Sequence, residues 1–231
     1  IGYIKVRSFT KTTSSDLDKA LDDLKKHGIS KLILDLRNNP GGLLTSAVSV
    51  SEKFIPQGEL IVSTKGRVKN QNFEFKSRNA GEFTDFPLVI LVNNGSASAS
   101  EIVAGAVQDN KRGIILGIKT FGKGSVQTVI PLKDGSALRF TTSLYYTPSG
   151  RSIVKEGIMP DVVVEEKDAS DEKKGRVDIF EKIENNLPVE IPSKDVLEPK
   201  KSDNQLERAV DLIKGIKVYK NMGAKQAVNT K

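Results

Sequence analysis

Pro87-Leu88-Val89-Ile90-Leu91-Val92-Asn93-Asn94-Gly95-Ser96-Ala97-Ser98-Ala99-Ser100-Glu101-Ile102-Val103-Ala104-Gly105-Ala106-Val107-Gln108 decides the fold. It opens with a short apolar run, the length of a strand buried on both faces. Asn93-Asn94-Gly95 turns the chain. From Ser98 onward, Ile102, Val103, Ala106 and Val107 recur at helical spacing. A doubly buried strand running through a turn into a helix belongs to a layered α/β domain with parallel strands.

The alternation continues on both sides. Residues 14–27 read as a helix, with Ser14 or Ser15 as its cap and Leu17, Ala20, Leu21 and Leu24 along one stripe. Residues 31–36 read as a strand, and the turn Asn38-Asn39-Pro40-Gly41-Gly42 leads into a second helix ending near residue 54. Strands are predicted over 60–64 and 113–117, while the polar segment 65–85, holding Phe73, Phe75 and Phe83, reads as a hairpin or excursion. Crossovers between parallel strands are expected to be right-handed. After Lys123 the pattern changes. Residues 126–132 and 137–145 flank Lys133-Asp134-Gly135-Ser136, a hairpin with an Asp-Gly turn. A short strand follows over 162–165. Charged residues fill 166–174, a polar proline-bearing stretch covers 188–203, and 204–217 is an amphipathic helix with Leu206, Val210, Leu212 and Ile213. The organisation expected is a core over 1–165, followed by a charged linker and C-terminal helical extension over 166–231. That helix has either the core or a second copy of the chain to pack on, the latter giving a homo-oligomer. No internal repeat is present.

Composition narrows the chemistry. The chain has 231 residues, 37 % of them hydrophobic, enough for a packed core. No apolar run approaches the roughly 20 residues that span a bilayer. Ile1 to Val6 alternate like a strand and lack a signal-peptide pattern. A targeting segment can be removed in maturation, so this leaves the compartment open. The absence of cysteine excludes thiol catalysis, disulfides and cysteine-ligated zinc. The one histidine, His27, sits in the last turn of a helix just before Gly28, where a cation suits the dipole and a glycine suits the cap. Neither a histidine-based triad nor a polyhistidine metal site fits this, and no metal or organic cofactor is expected. The formal charge is +7. The lysines are dispersed and no aromatic-basic motif stands out, so nucleic acid is not expected. An anionic membrane surface is the other partner such a charge attracts.

Three features carry chemistry. Ser98-Ala99-Ser100-Glu101 is a capping box, S-x-x-E, and helix capping is its ordinary reading. A serine at a helix N-terminus also has free backbone N–H groups beside it, which can hold an oxyanion. Ser96 and Ser100 are candidate hydroxyls too, and the local sequence does not rank the three. Lys123 lies between Gly122 and Gly124 after a strand, where a confined lysine can serve as a base. A lysine base must be neutral, which from an ordinary value near 10.4 requires desolvation or neighbouring positive charge. Residues 117–124 nearly spell a phosphate-binding P-loop, but Gly124 replaces the required Ser or Thr and a strand follows instead of a helix. The third feature is the Gly41-Gly42 pair, which can turn a backbone N–H toward a developing oxyanion.

Leu34-Asp35-Leu36-Arg37-Asn38-Asn39-Pro40-Gly41-Gly42, Gly95-Ser96-Ala97-Ser98-Ala99-Ser100-Glu101, Thr120-Phe121-Gly122-Lys123-Gly124 and Gly157-Ile158-Met159-Pro160-Asp161 occur in this order. Over roughly residues 1–164 the chain thus resembles the carboxyl-terminal processing proteases, also called tail-specific proteases. The resemblance implies a crotonase-like layered α/β core and a serine endopeptidase that needs no cofactor and cuts proteins near their C-termini. It implies a periplasmic or extracytoplasmic membrane-associated location. By the same resemblance Ser98 is the nucleophile, Lys123 the general base and Gln127 the residue that orients Lys123. The oxyanion hole pairs the N–H of Ala99 with one from Gly41 or Gly42, and Asp109 falls where some members have an acidic residue important for activity. Members usually carry a PDZ domain, which is not identified in this chain, so a fragment or a minimal member is expected. The alternative from another class is a non-catalytic peptide-binding or assembly module on the same fold. A third, an acyl-CoA enzyme, would need a nucleotide pocket that the sequence does not reveal.

Overall fold

The computed structural model describes residues 1–78, 81, 83–166 and 203–228, the last stretch with side chains to residue 216. Strands β1 (Gly2–Lys5), β2 (Leu32–Asp35), β5 (Leu88–Val92), β6 (Ile114–Gly117) and β9 (Val162–Val163) form one sheet in that order, with every neighbouring pair parallel. Helices α1 (Thr13–Lys26), α2 (Leu44–Ser51) and α3 (Ala99–Asp109) lie on the crossovers between its strands. A second, antiparallel sheet has the order β4–β3–β8–β7, from β3 (Leu60–Gly66), β4 (Phe73–Lys76), β7 (Ser125–Pro131) and β8 (Ala137–Tyr146). A 3-10 turn over Lys69–Gln71 joins β3 to β4. The last helix, α4, runs Asn204–Val228. The parallel sheet, crossover helices, hairpins and C-terminal helix are those expected from the sequence.

Strand alternation sorts the core into two clusters. Leu32, Leu34 and Leu36 of the β2 segment and Leu88, Ile90 and Val92 of β5 pack with Leu17 and Leu21 of α1, Ala47 and Val50 of α2 and the apolar residues of α3. Ile33, Val89, Leu91 and Leu116 face the other way and pack against Ala209 and Ile213 of α4. Period-two alternation produces this split, so α4 supplies the layer that keeps the second face of the sheet dry. Helix α3 packs on both β6 and β3 and is buried along its whole length from Ala99 to Val107. This explains why its sequence reads more apolar than a one-sided helix. No helix among the described residues is long and apolar enough to cross a membrane.

Several boundaries differ from the sequence reading. Helix α1 begins at Thr13 with Thr12 at the cap position, not with Ser14 or Ser15 capping it. The hydroxyl of Thr13 accepts the N–H of Thr10, and that of Ser15 donates back to the Thr12 carbonyl, so the helix is entered earlier. Helix α2 stops at Ser51, where Phe54 and Ile55 both donate to the Ser51 carbonyl in a turn. The excursion over 65–85 is partly a hairpin, with β4 antiparallel to β3. His27 caps α1 and Gly28 takes the left-handed φ of +71°, as its position suggested.

Candidate active site

Open parallel sheets bind ligands beyond the carboxyl ends of their strands. Here the ends of three adjacent strands converge: β2 into the turn 36–42, β5 into 93–98 and β6 into 118–124. All the site residues implied by the sequence except Gln127 and Asp109 lie on these turns or at the first residue of α3.

The middle turn presents the serines. Ser96 and Ser100 are buried, their hydroxyls donated to the carbonyls of Leu36 (2.8 Å) and Asn39 (2.9 Å). Both are thereby spent holding the β2 turn against the β5 turn. Ser98 is half-buried at the N-terminus of α3. Its backbone has φ +53° and ψ −112°, a region that non-glycine residues adopt only under strain. Strand-to-helix turns that expose a nucleophile carry this kind of strain. The three hydroxyls that the local sequence left equal thus differ in burial and in hydrogen-bond partners.

The first turn is pressed against Ser98. A Cβ on Gly41 would meet the Ala97 carbonyl at 2.7 Å, Ser98 Cβ at 2.8 Å and Ala99 N at 2.9 Å, and φ there is +99°. Only glycine fits this approach. The N–H of Gly41 is donated to Asn39 Oδ1 (2.9 Å). Gly42 bridges Phe9 on its other side, through Phe9 N to Gly41 O and Leu43 N to Phe9 O, which leaves its own N–H out of the bridge. The N–H of Gly41 is thus committed to Asn39, and that of Gly42 lies outside the bridge to Phe9.

Glu101 ties the turns together. It is fully buried, and Oε2 accepts the backbone N–H groups of both Ser98 (2.9 Å) and Lys123 (2.9 Å). Oε1 accepts Thr120 Oγ1 (2.5 Å) and the N–H of Gly122 (2.7 Å). Burial pushes the Glu101 carboxyl above its usual range, opposed by these four donors. The serine and lysine backbones are therefore held on one carboxylate oxygen. A strap over 151–157 closes the lysine turn from behind. Cβ atoms on Gly122 and Gly124 would meet the backbone of Lys155 at 3.0 Å and of Val154 at 2.6 Å. Lys123 itself is half-buried.

Two implied residues lie further off. Gln127 is exposed on β7, beside a register shift between Val126 and Gln127 in the β7–β8 ladder. Bulges of this kind re-aim side chains near active sites. Asp109 ends α3, eleven residues and so roughly 16 Å along the axis from Ser98. It accepts the N–H of Ser149 (2.9 Å) and pairs with Arg151, at the start of the strap. Burial works against its charge, and hydrogen bonds from Thr147 and Ser149 with the Arg151 charge outweigh this and hold it below the usual carboxylate range. Sequence reading missed Glu101 as a link, because S-x-x-E explains it as a cap and its partners at 120–123 come from another turn.

Fold and site together define a layered α/β domain with a strained serine at a helix N-terminus, tied to a glycine-flanked lysine. Residues 1–164 match the model of peptidase family S41, and the chain belongs to that family. It is similar to a carboxy-terminal-processing protease of Bartonella bacilliformis, 54 % identical over 171 residues that make up 72 % of this chain and 39 % of the relative. A carboxyl-terminal-processing protease of Synechocystis is 42 % identical over 72 % of this chain and 38 % of its own length. Among solved structures, a photosystem II D1 C-terminal processing protease superposes with a TM-score of 0.65 at 38 % identity, covering 71 % of this chain and 42 % of that one. The chain thus spans about two-fifths of the length of these curated relatives.

Proposed function

We propose that this chain carries the catalytic core of a serine endopeptidase that cuts protein substrates near their C-termini. The observation that carries the reading is the shared Glu101 carboxylate, which fixes the turns of Ser98 and Lys123 together while Ser96 and Ser100 are spent on the scaffold. Ser98 Oγ attacks the scissile carbonyl carbon as neutral Lys123 Nζ takes its proton. The N–H groups of Ala99 and Gly42 receive the oxyanion. As the intermediate collapses, the Lys123 ammonium gives its proton to the leaving amine, and Ser98 keeps the acyl group. Water then attacks the ester, Lys123 again taking the proton, and as the acyl–Oγ bond breaks Lys123 returns that proton to Ser98 Oγ and the acid product leaves as its carboxylate. Gln127 orients the Lys123 amine. Asp109 supports the site at a distance, through Ser149, Arg151 and the strap they begin. The substrate class follows the names of those relatives, and the periplasmic or extracytoplasmic setting follows the family resemblance carried by the four sequence motifs. The basic charge suits an anionic membrane surface, and self-association through α4 would use the faces not spent on the sheet.

The direct test is a fluorophosphonate, which phosphonylates an activated serine. Mass spectrometry of the labelled protein should place the adduct on Ser98. An adduct on Ser96 or Ser100 would move the nucleophile away from Ser98 and remove this reading, and no adduct in a folded protein would favour a non-catalytic peptide-binding module.

A second result tests Glu101. Glutamine keeps its size but has one acceptor oxygen, so its NH₂ must face either Ser98 and Lys123 or Thr120 and Gly122. Leaving such buried donors unpaired costs about 1–3 kcal/mol. Glu101→Gln should lower the melting temperature, and misplacement of the dyad should cut turnover by about 100-fold. Unchanged melting and turnover would show that the link is dispensable.

A further inference from the structure

Arg37 lies in the turn that carries the Gly42 donor, and two of its partners, Asp203 and Gln205, come from the far end of the chain. Its guanidinium donates two hydrogen bonds to Asp203, Nη1 to Oδ1 (2.8 Å) and Nη2 to Oδ2 (2.7 Å), and a third to Gln205 Oε1 (3.1 Å). On the near side, Nε and Nη2 reach the two oxygens of Asp35 at 3.0 and 2.7 Å. Asp35 is fully buried and also accepts the Tyr3 hydroxyl (2.7 Å), with Lys5 Nζ at 3.8 Å. Arg37 is 8 % exposed and Asp35 fully buried, while the Asp203 side chain is 38 % exposed, so the charge-assisted fork is shielded on the Asp35 side and reaches water at Asp203.

Gln205 in turn donates to the Val164 carbonyl (2.7 Å) and Asn204 to that of Glu165 (2.8 Å), which pins the start of α4 on the end of β9. A second connection reaches the same turn. Glu166 accepts from Asn93 Nδ2 (3.1 Å), and Asn93 holds Asn38 through Asn38 N to Asn93 Oδ1 (2.9 Å) and Asn93 Nδ2 to Asn38 Oδ1 (3.0 Å). Asn38 has a φ of +59°, a strained value that surrounding bonds must hold. The turn that presents Gly41 and Gly42 to Ser98 is therefore gripped on both flanks by residues beyond the family match, which ends at 164.

We infer that Asp203 is a positioning residue for the oxyanion turn, acting through Arg37, so that the C-terminal segment completes the site from outside the family's core. The catalytic consequence rests on the serine-peptidase reading above; the structural consequence does not. Asp203→Asn separates the ion pair from the cap, because asparagine Oδ1 still accepts the N–H of Leu206, now bonded to Asp203 Oδ1 at 3.0 Å, and asparagine caps helices as well as aspartate.

The test uses the full chain, with Ser98→Ala as control. In Asp203→Asn, amide hydrogen exchange over residues 36–43 should speed up by about tenfold while that of α1 stays as it was. Peptide kcat should fall by roughly ten- to a hundredfold with KM within twofold, the signature of a misplaced donor that acts in the transition state. Asp203→Glu, which keeps the charge, should recover a large part of kcat. Unchanged exchange over 36–43, or faster exchange throughout the chain, overturns the inference. Should the wild-type chain and Ser98→Ala cleave alike, the peptidase reading fails by itself, and the exchange result still decides the role of Asp203.

Discussion

Ser98→Ala is expected to lose at least about 10⁴-fold in kcat while keeping its fold, since removing the nucleophile of a serine hydrolase removes the covalent route altogether. The stability cost is small by comparison. Truncating a residue at a helix N-cap costs about 0.5–2 kcal/mol. The backbone N–H of Ser98 keeps its bond to Glu101 in the alanine variant, because it involves no serine side-chain atom. The neighbouring serines should invert this pattern. Ser96 Oγ both donates to Leu36 O and accepts the N–H of Asn93, so Ser96→Ala leaves the buried Asn93 N–H unpaired, while the Leu36 carbonyl keeps the N–H of Asn39. Ser100→Ala orphans one lone pair of the Asn39 carbonyl, which also accepts the N–H of Ala97. Both should melt lower, by about 1–3 kcal/mol for the lost bonds, and turn over far faster than Ser98→Ala. Peptide turnover with circular-dichroism melts for all three variants distinguishes nucleophile from scaffold. Comparable losses of turnover in all three would return the assignment to where the sequence left it.

Much of the fold was legible because it depends on periodicity. The doubly buried run 88–92 and the stripe on α1 gave the parallel sheet and its crossovers, and Asp134-Gly135 gave the β7–β8 hairpin. What stayed hidden depends on contacts between distant segments. Nothing around Glu101 indicates that its carboxylate collects donors from Thr120, Gly122 and Lys123, since those bonds exist only once the β5 and β6 turns lie side by side. Ser96, Ser98 and Ser100 alternate with alanine, so they look equivalent until burial separates them. Nothing in the Gly41-Gly42 pair indicates that the N–H of Gly41 is donated to Asn39 Oδ1. The reading of 204–217 as an amphipathic helix placed the start of α4 and stopped eleven residues short of its end at Val228, and composition does not say which surface the helix covers. That became clear only when Ala209 and Ile213 met Val89, Leu91 and Leu116.

Lys123→Arg is the substitution that asks whether the lysine works as a base or as a charge. Arginine keeps its positive charge throughout the working pH range and cannot give up a proton. If Lys123 only steadied a negative charge near Ser98, arginine would serve, and most of the rate would remain. If Lys123 takes the Ser98 proton, Lys123→Arg and Lys123→Ala should be equally damaged, each by at least about 10³-fold, the upper range of general-base contributions combined with loss of an activated nucleophile. Misfolding offers no easy escape from this comparison. The lysine backbone is held through its N–H on Glu101, with Gly122 and Gly124 on either side, and none of these contacts uses the side chain. A circular-dichroism melt of the alanine variant checks that these backbone contacts keep the turn in place, giving a folded reference for the loss of the amine. The fluorophosphonate adds a second reading, because the reagent needs an activated hydroxyl but no leaving-group proton. Slow labelling of Ser98 in both variants places Lys123 at the first proton transfer. Fast labelling with no peptide turnover would move its role to protonation of the leaving amine, and a Lys123→Arg enzyme with most of its activity would remove Lys123 from proton transfer altogether.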